Sequence, residues 1–221
     1  MGKEGVLALI TESVNVNMPG RCPSERIAQR LVRDVMTCYE DEKSAMFVGT
    51  FASNIARVKM IAECAHEIGR KPVLLGRSME RYSSTAEQMK LVGFPRGMTM
   101  RGGNRRTVDK MFRTIMKEGR DKYVPIVTGS QGEPGAILTR LASGQTPFKI
   151  EKGGDKILYS AKVIPNPMNY GQRHTQEVLL RMKGARIFTD LHVSGHAYRE
   201  EHYEVLHLFN PPACYPGSRR Y

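Results

Sequence analysis

Apolar runs of strand length alternate with amphipathic stretches of helix length along the sequence. The runs GVLALIT, SAMFVG, KPVLLG, YVPIVTG, DKILYSA and ARIFTDLHV predict strands. Segments near Pro23–Cys38, Ile55–Ile68, Ser84–Leu91, Thr107–Met116, Ala136–Leu141, Gln172–Met182 and Tyr198–Phe209 carry apolar side chains at helical spacing. This alternation predicts an α/β fold with a largely parallel sheet flanked by helices, because parallel strands need crossover connections and helices supply them. No internal repeat, low-complexity tract or Pro/Ser-rich linker divides the chain.

The residues that end these strands share a chemistry. Thr11-Glu12-Ser13 follow LALI, TFASN (Thr50–Asn54) follows MFVG, and RSMER (Arg77–Arg81) follows VLLG. TGSQGEPG (Thr128–Gly135) follows PIV, Ser160 and then IPNPMN (Ile164–Asn169) follow ILY, and Ser194-Gly195-His196 follow DLHV. The carboxyl ends of parallel strands are where α/β folds bind ligands. Small hydroxyl residues and glycines there let backbone N–H groups approach an anion, and the helix N-termini that follow add partial positive charge. Any one such loop is equally explained by turn and cap preferences. Their recurrence, with Arg57, Arg77 and Arg81 nearby, predicts a phosphate-binding rim along one sheet edge. TGSQGEPG is neither a Walker A loop nor a GxGxxG fingerprint, so a nucleotide cofactor has no motif behind it.

Composition narrows the partner. The 221 residues carry a formal net charge of +12 and a pI near 9.7, which favours a polyanion, nucleic acid before membrane. The stretch Arg96–Lys122 is the most basic, read either as a solvated helix face or as a guide for a nucleic-acid backbone. No apolar run is long enough to span a bilayer, and MGKEGVLALITES does not read as a signal peptide. The four cysteines contain no CxxC pair, so neither a disulfide framework nor a zinc ribbon is expected, and a cytoplasmic setting is. Among the histidines, His196 alone stands in a loop suited to catalysis; His66, His202 and His207 fall in predicted helices, His174 near the start of one, and His192 in strand alternation. Glu12 is its natural partner, since a carboxylate on one ring nitrogen fixes the tautomer and favours an imidazolium that faces phosphate. No HxHxDH or HExxH cluster occurs, so no metal ligands are expected in this sequence, and Ser13, Ser130 and Ser194 lack a nucleophile-elbow context.

TESVNVNMPGRCPSE, TFASNIARV, GRSMER, TGSQGEPGAILTRLASG, KVIPNPMN and LHVSGHAYREE resemble, in order and spacing, the ribonuclease J family of metallo-β-lactamase, β-CASP nucleases. IPNPMN resembles the archaeal branch, and the likeness runs to about Pro211. The resemblance implies a β-CASP domain at 21–154 and a remnant of the metallo-β-lactamase domain at 1–20 and 155–221. It implies hydrolysis of single-stranded RNA, 5′ to 3′ and in some members internally, by two zinc ions held in an HxHxDH core. Glu12 and His196 match the family's acidic residue and the histidine it pairs with near the scissile phosphate. Ser53, Asn54, Arg57, Arg77, Ser78, Thr128, Gly129, Ser130, Gln131, Gly132, Ser160, Ser194 and Gly195 lie in the loops that match places where RNA phosphates, including a 5′ monophosphate, are held.

Three departures qualify what is implied. The HxHxDH core is absent, Ser218 stands near where the family has its last histidine, and Ala56 stands where relatives often carry histidine. The expectation is a fragment, split-gene product or degenerate paralogue whose catalysis is incomplete alone. It would act as a homo-oligomer or with a zinc-bearing core supplied in cis or in trans. Two other readings stay open: a non-catalytic RNA-binding or regulatory module that has lost the metal core, and a nucleotide- or sugar-phosphate-binding α/β enzyme.

Overall fold

The computed structural model describes residues 4–40, 43–95 and 100–217, so Ser218 and residues 96–99 of the basic stretch lie outside the described residues. The chain divides into two compact units, residues 28–192 and residues 1–27 with 193–221. These units are divisions by packing, whereas the resemblance implies family domains that meet at 20/21 and 154/155.

The larger unit is built on six parallel strands, β2 (Met46–Gly49), β3 (Lys71–Leu75), β4 (Met100–Gly102), β5 (Tyr123–Val127), β6 (Lys156–Tyr159) and β7 (Arg186–Phe188), in the order β4-β3-β5-β2-β6-β7. Both faces of the sheet are apolar, as a parallel sheet covered by helices requires. Along β2, Met46 and Val48 join one core with Val32 and Met36 of α1 (Glu25–Cys38), Val58 and Ile61 of α2 (Ile55–Glu67) and Met79 of α3 (Arg77–Gln88). Phe47 points to the other face, with Phe112 of α4 (Arg105–Glu118), Leu138 of α5 (Ile137–Ala142) and Leu180 of α6 (Pro167–Met182). The α/β class and the parallel sheet are as the periodicity predicted.

The smaller unit holds β1 (Ala8–Thr11), paired in parallel with β8 (Ala213–Pro216), and α7 (Arg199–Phe209). Here the expectation of a single rim is corrected: β1 is not hydrogen-bonded into the six-stranded sheet, and ARIFTDLHV is a strand only over Arg186–Phe188. Thr189–Val193 runs on without a strand partner, so His196 does not end a strand. The expected RSMER loop is also corrected, because α3 begins at Arg77, directly behind Gly76. Gly76 sits at φ 120°, and a Cβ there would come within 3.0 Å of Thr128 Oγ1.

All four cysteines are free, with Cys38 and Cys214 exposed and Cys64 buried on α2. Burial pushes the Cys64 thiol up to about 11. Alkylation of the native chain at pH 8 is therefore expected to label Cys38 and Cys214 within minutes and to spare Cys64 until denaturant is added. Peptide mass mapping reads this directly.

Candidate functional site

In the smaller unit, Glu12 leaves the end of β1 and meets the loop that opens α7. Each carboxylate oxygen takes one backbone N–H and faces one imidazole. Oε2 accepts from Val14 N at 2.7 Å and lies 3.5 Å from His196 Nδ1; Oε1 accepts from Ala197 N at 2.8 Å and lies 3.7 Å from His202 Nε2. The His196 side chain is 53% exposed, the Glu12 side chain 35%. The carboxylate thus ties the chain after β1 to residues 196–197 and backs an imidazole that water and ligands can reach.

Ser194 shapes the turn. Its Oγ accepts from Asn15 Nδ2 at 2.8 Å and from His196 N at 3.1 Å, and its carbonyl accepts from Cys22 Sγ at 2.7 Å. Gly195 is different: no heavy atom lies within 4 Å of a Cβ built there, and its φ is outside the positive range. Nothing inside the unit requires a glycine. The α7 N-terminus is pinned by Glu201, which accepts from Tyr198 N at 2.6 Å and Cys22 N at 3.0 Å. These two N–H bonds, first that of Tyr198, hold the Glu201 carboxyl below its ordinary 4.5.

In the larger unit, the loops after β2, β5 and β6 lie side by side at the carboxyl edge. Thr50 N donates to Val127 O, Ser160 N to Gly49 O, and Thr50 Oγ1 to Ser160 O at 3.2 Å. Arg57 is 1% exposed, and its Nη1 donates to Ser160 O (3.1 Å), Ser160 Oγ (3.0 Å) and His192 Nδ1 (3.2 Å). Ser160 Oγ donates to Leu191 O, and Asn54 caps α2 through Arg57 N at 3.1 Å. Arg57 and Ser160 therefore bind this edge together from beneath rather than standing out from it.

The TGSQG loop is likewise packed. Ser130 and Gln131 are buried; Gln131 Nε2 donates to Lys162 O at 2.9 Å and its Oε1 accepts from Ile164 N at 2.7 Å. From α6, Arg173 Nη1 donates to Ser130 O at 2.7 Å and Gln176 Nε2 to Gly129 O at 2.9 Å, while Tyr159 Oη donates to Gln176 Oε1 at 2.7 Å. Burial raises the Tyr159 phenol well above its ordinary value. Gly132 lies against the α6 backbone. Of the site residues expected at this edge, Ser53, Arg77 and Ser78 are exposed, and Asn54 and Thr128 are half-buried. Arg77 and Ser78 line an open groove along α3 with Arg81, Ser84 and Thr85.

Sequence reasoning missed His202, Arg173 and Gln176. Their signal was faint but present: each is a polar residue on the inward side of an amphipathic helix, where an apolar one is usual.

The described residues do not fit the zinc ions that the resemblance implies. Among them no group of three or more His, Cys, Asp or Glu side chains is arranged to hold a metal ion. In the cluster of Glu12, His196 and His202, each carboxylate oxygen already holds a backbone N–H at 2.7–2.8 Å.

Residues 43–174 match a protein-family model described as Ribonuclease J, beta-CASP domain. The sequence is 43% identical to a ribonuclease J of Methanocaldococcus jannaschii over 98% of this chain and 48% of that protein. It is 41% identical to a ribonuclease J of Pyrococcus abyssi over 98% of this chain and 47% of that protein. Its identity to ribonuclease J2 of Bacillus subtilis is 29%, over 100% of this chain and 38% of the relative. The chain spans about half the length of the two archaeal relatives. Among the described residues, no helix is long and apolar enough to cross a membrane.

Proposed function

The chain belongs to the ribonuclease J family, as its loop motifs implied, and from that premise we propose that it is the RNA-handling portion of a cytoplasmic ribonuclease acting on single-stranded RNA, 5′ to 3′ and also internally. The observation that carries this reading is the exposed imidazole of His196, backed by a carboxylate that two backbone N–H groups hold in place. An imidazole so placed can meet a phosphate oxygen or pass a proton to a leaving oxygen, and Glu12 holds the ring in place. The open space at Gly195 lets a phosphate come close to the Ser194-Gly195 backbone.

In the larger unit, Ser53, Arg77, Ser78 and Thr128 are the groups proposed to touch RNA phosphates. Asn54, Arg57, Gly129, Ser130, Gln131, Gly132 and Ser160 fix the loops that present them. Arg106, Lys110, Arg113 and Lys117, an exposed row at 4-3-4 spacing on α4, form no ion pair among the described residues and add a sequence-independent track for the backbone. Asp109 does not neutralise the row, since it is engaged by Arg140 at 3.2 Å.

No metal-dependent step is assigned to these residues. The proposal is that a zinc-bearing metallo-β-lactamase core, in cis or in trans, completes the reaction. The β1–β8 pair supports it: a lone two-stranded parallel sheet is marginal, and Leu7 and Ile10 stand 85% and 77% exposed. The test is to incubate the purified chain with 5′-monophosphorylated single-stranded RNA and zinc or manganese, with and without such a core. RNA is expected to bind with an affinity that falls steeply with salt, and to be cleaved only when the core is present. Neutralising the α4 row with glutamine lowers the log–log salt slope by about 0.7 for each phosphate that the row no longer neutralises. Metal-dependent cleavage by the chain alone overturns the dependence on a core. Binding without cleavage even when the core is added establishes the non-catalytic module instead, and an absence of RNA binding removes both.

A further inference from the structure

We propose that His202 is a positioning residue for Glu12, so that the carboxylate behind His196 is gripped by two imidazoles; this rests on the reading of Glu12 and His196 given above. His202 is 7% exposed, and its Nε2 is buried without a hydrogen-bond partner. A buried nitrogen left without a partner is costly, so its presence calls for an explanation in the residues around it. Among the described residues, the carboxylate within ion-pair distance of that nitrogen is Glu12, at 3.7 Å from Oε1.

A carboxylate has four lone-pair directions, two on each oxygen. At Glu12 two are filled by Val14 N and Ala197 N, which leaves one direction on each oxygen, with His196 Nδ1 3.5 Å from Oε2 and His202 Nε2 3.7 Å from Oε1. The two imidazoles differ in kind. The His196 side chain is 53% exposed and free to meet a ligand, whereas His202 is set in the first turn of α7, its N–H donating to Tyr198 O at 3.1 Å. That turn is itself fixed by Glu201 through Tyr198 N and Cys22 N. A small rotation of the Glu12 carboxylate toward His202 closes the gap to Oε1 and aims Oε2 at His196. The geometry assigns His202 the tautomer with hydrogen on Nε2, donating to Glu12, and makes His202 the anchor and His196 the working group.

The test needs neither RNA nor metal. Ring-nitrogen NMR is recorded on the ¹⁵N-labelled full chain as wild type, Glu12→Gln, His202→Phe and His202→Gln. Phenylalanine keeps a flat aromatic ring, somewhat larger, and removes both nitrogens; glutamine places an amide N–H near the Nε2 position. Expected are an Nε2-protonated His202 whose ring signals move in Glu12→Gln, and His196 ring signals that move in His202→Phe and return toward wild type in His202→Gln. With a zinc-bearing core added, His202→Phe is expected to lower kcat by roughly 10- to 100-fold with little change in KM, and His202→Gln to restore most of it. If His202 carries no hydrogen on Nε2, or if His196 signals are unchanged in His202→Phe while the amide spectrum stays native, the proposal is overturned. The NMR arm stands even if no RNA is cleaved, so failure of the positioning role and failure of the ribonuclease reading are told apart. Should His202→Phe not fold, the wild-type tautomer and the Glu12→Gln response decide alone.

Discussion

Replacing Gly132 with alanine is expected to cost the chain about 3 kcal/mol or more, read as a lower urea midpoint with the slope unchanged. Two independent causes act on the same atom. Gly132 sits at φ +78°, where an L side chain is strained. A Cβ built there lies 2.4 Å from Gln172 C and 2.6 Å from Arg173 N, both backbone atoms of α6 that no rotamer change can move. Retreat of the helix is resisted by the bonds already described, Arg173 to Ser130 O and Gln176 to Gly129 O, which would be broken in a buried setting where each unpaired group is expensive. Gly135, in the same loop, separates the two causes. It has φ +75° and open space around its Cβ, so its alanine variant bears the backbone strain alone, about 1 kcal/mol. Equal losses at the two positions would show that the close packing of the loop on α6 is wrong.

That packing also marks where the sequence was readable. β2, β3, β5 and β6 were legible because each is a short apolar run whose alternate residues enter two different cores, as Met46, Phe47 and Val48 do. The first half of α3 was not, because it buries only one small or apolar residue per turn, Met79, Ser83 and Ala86, within an otherwise polar stretch. β4 and β8 are short strands, and in β8 all but the first residue is exposed, so neither leaves a periodic trace. β1 was legible as a strand, but periodicity cannot name a strand's partner. Its pairing with β8 therefore came only from the structure, and with it the finding that Thr11-Glu12-Ser13 follow a strand of a different sheet. At the candidate site, loop chemistry singled out Glu12 and His196, and the two stand 3.5 Å apart. The same reasoning could not separate Ser53, Arg77 and Ser78, which face solvent, from Arg57, Ser130 and Ser160, which are buried, because residue type at a strand end does not encode which way a side chain turns.

Replacing His196 with alanine is expected to lower cleavage by the chain supplied with a zinc-bearing core by about 10²- to 10⁴-fold, the usual share of a positioned proton donor. Stability should move by no more than about 0.5 kcal/mol, because the side chain is more than half exposed and its ring nitrogen lies no nearer than 3.5 Å to the Glu12 carboxylate. Glu12→Gln is expected to behave differently. The carboxylate accepts Val14 N on one oxygen and Ala197 N on the other, and glutamine keeps only one acceptor oxygen. Its amide N–H₂ would face a backbone N–H, leaving both donors unsatisfied at a cost of about 1–3 kcal/mol. The two variants therefore share a loss of activity and differ in thermal midpoint. RNA affinity measured without the core separates binding from chemistry, because His196→Ala removes one phosphate-facing group among many and is expected to leave the dissociation constant within about a few-fold of wild type. A His196→Ala chain that cleaves within about tenfold of wild type would move the chemistry away from this imidazole. Equal destabilisation of His196→Ala and Glu12→Gln would instead make the pair a structural tie between the chain after β1 and the start of α7, with catalysis located elsewhere.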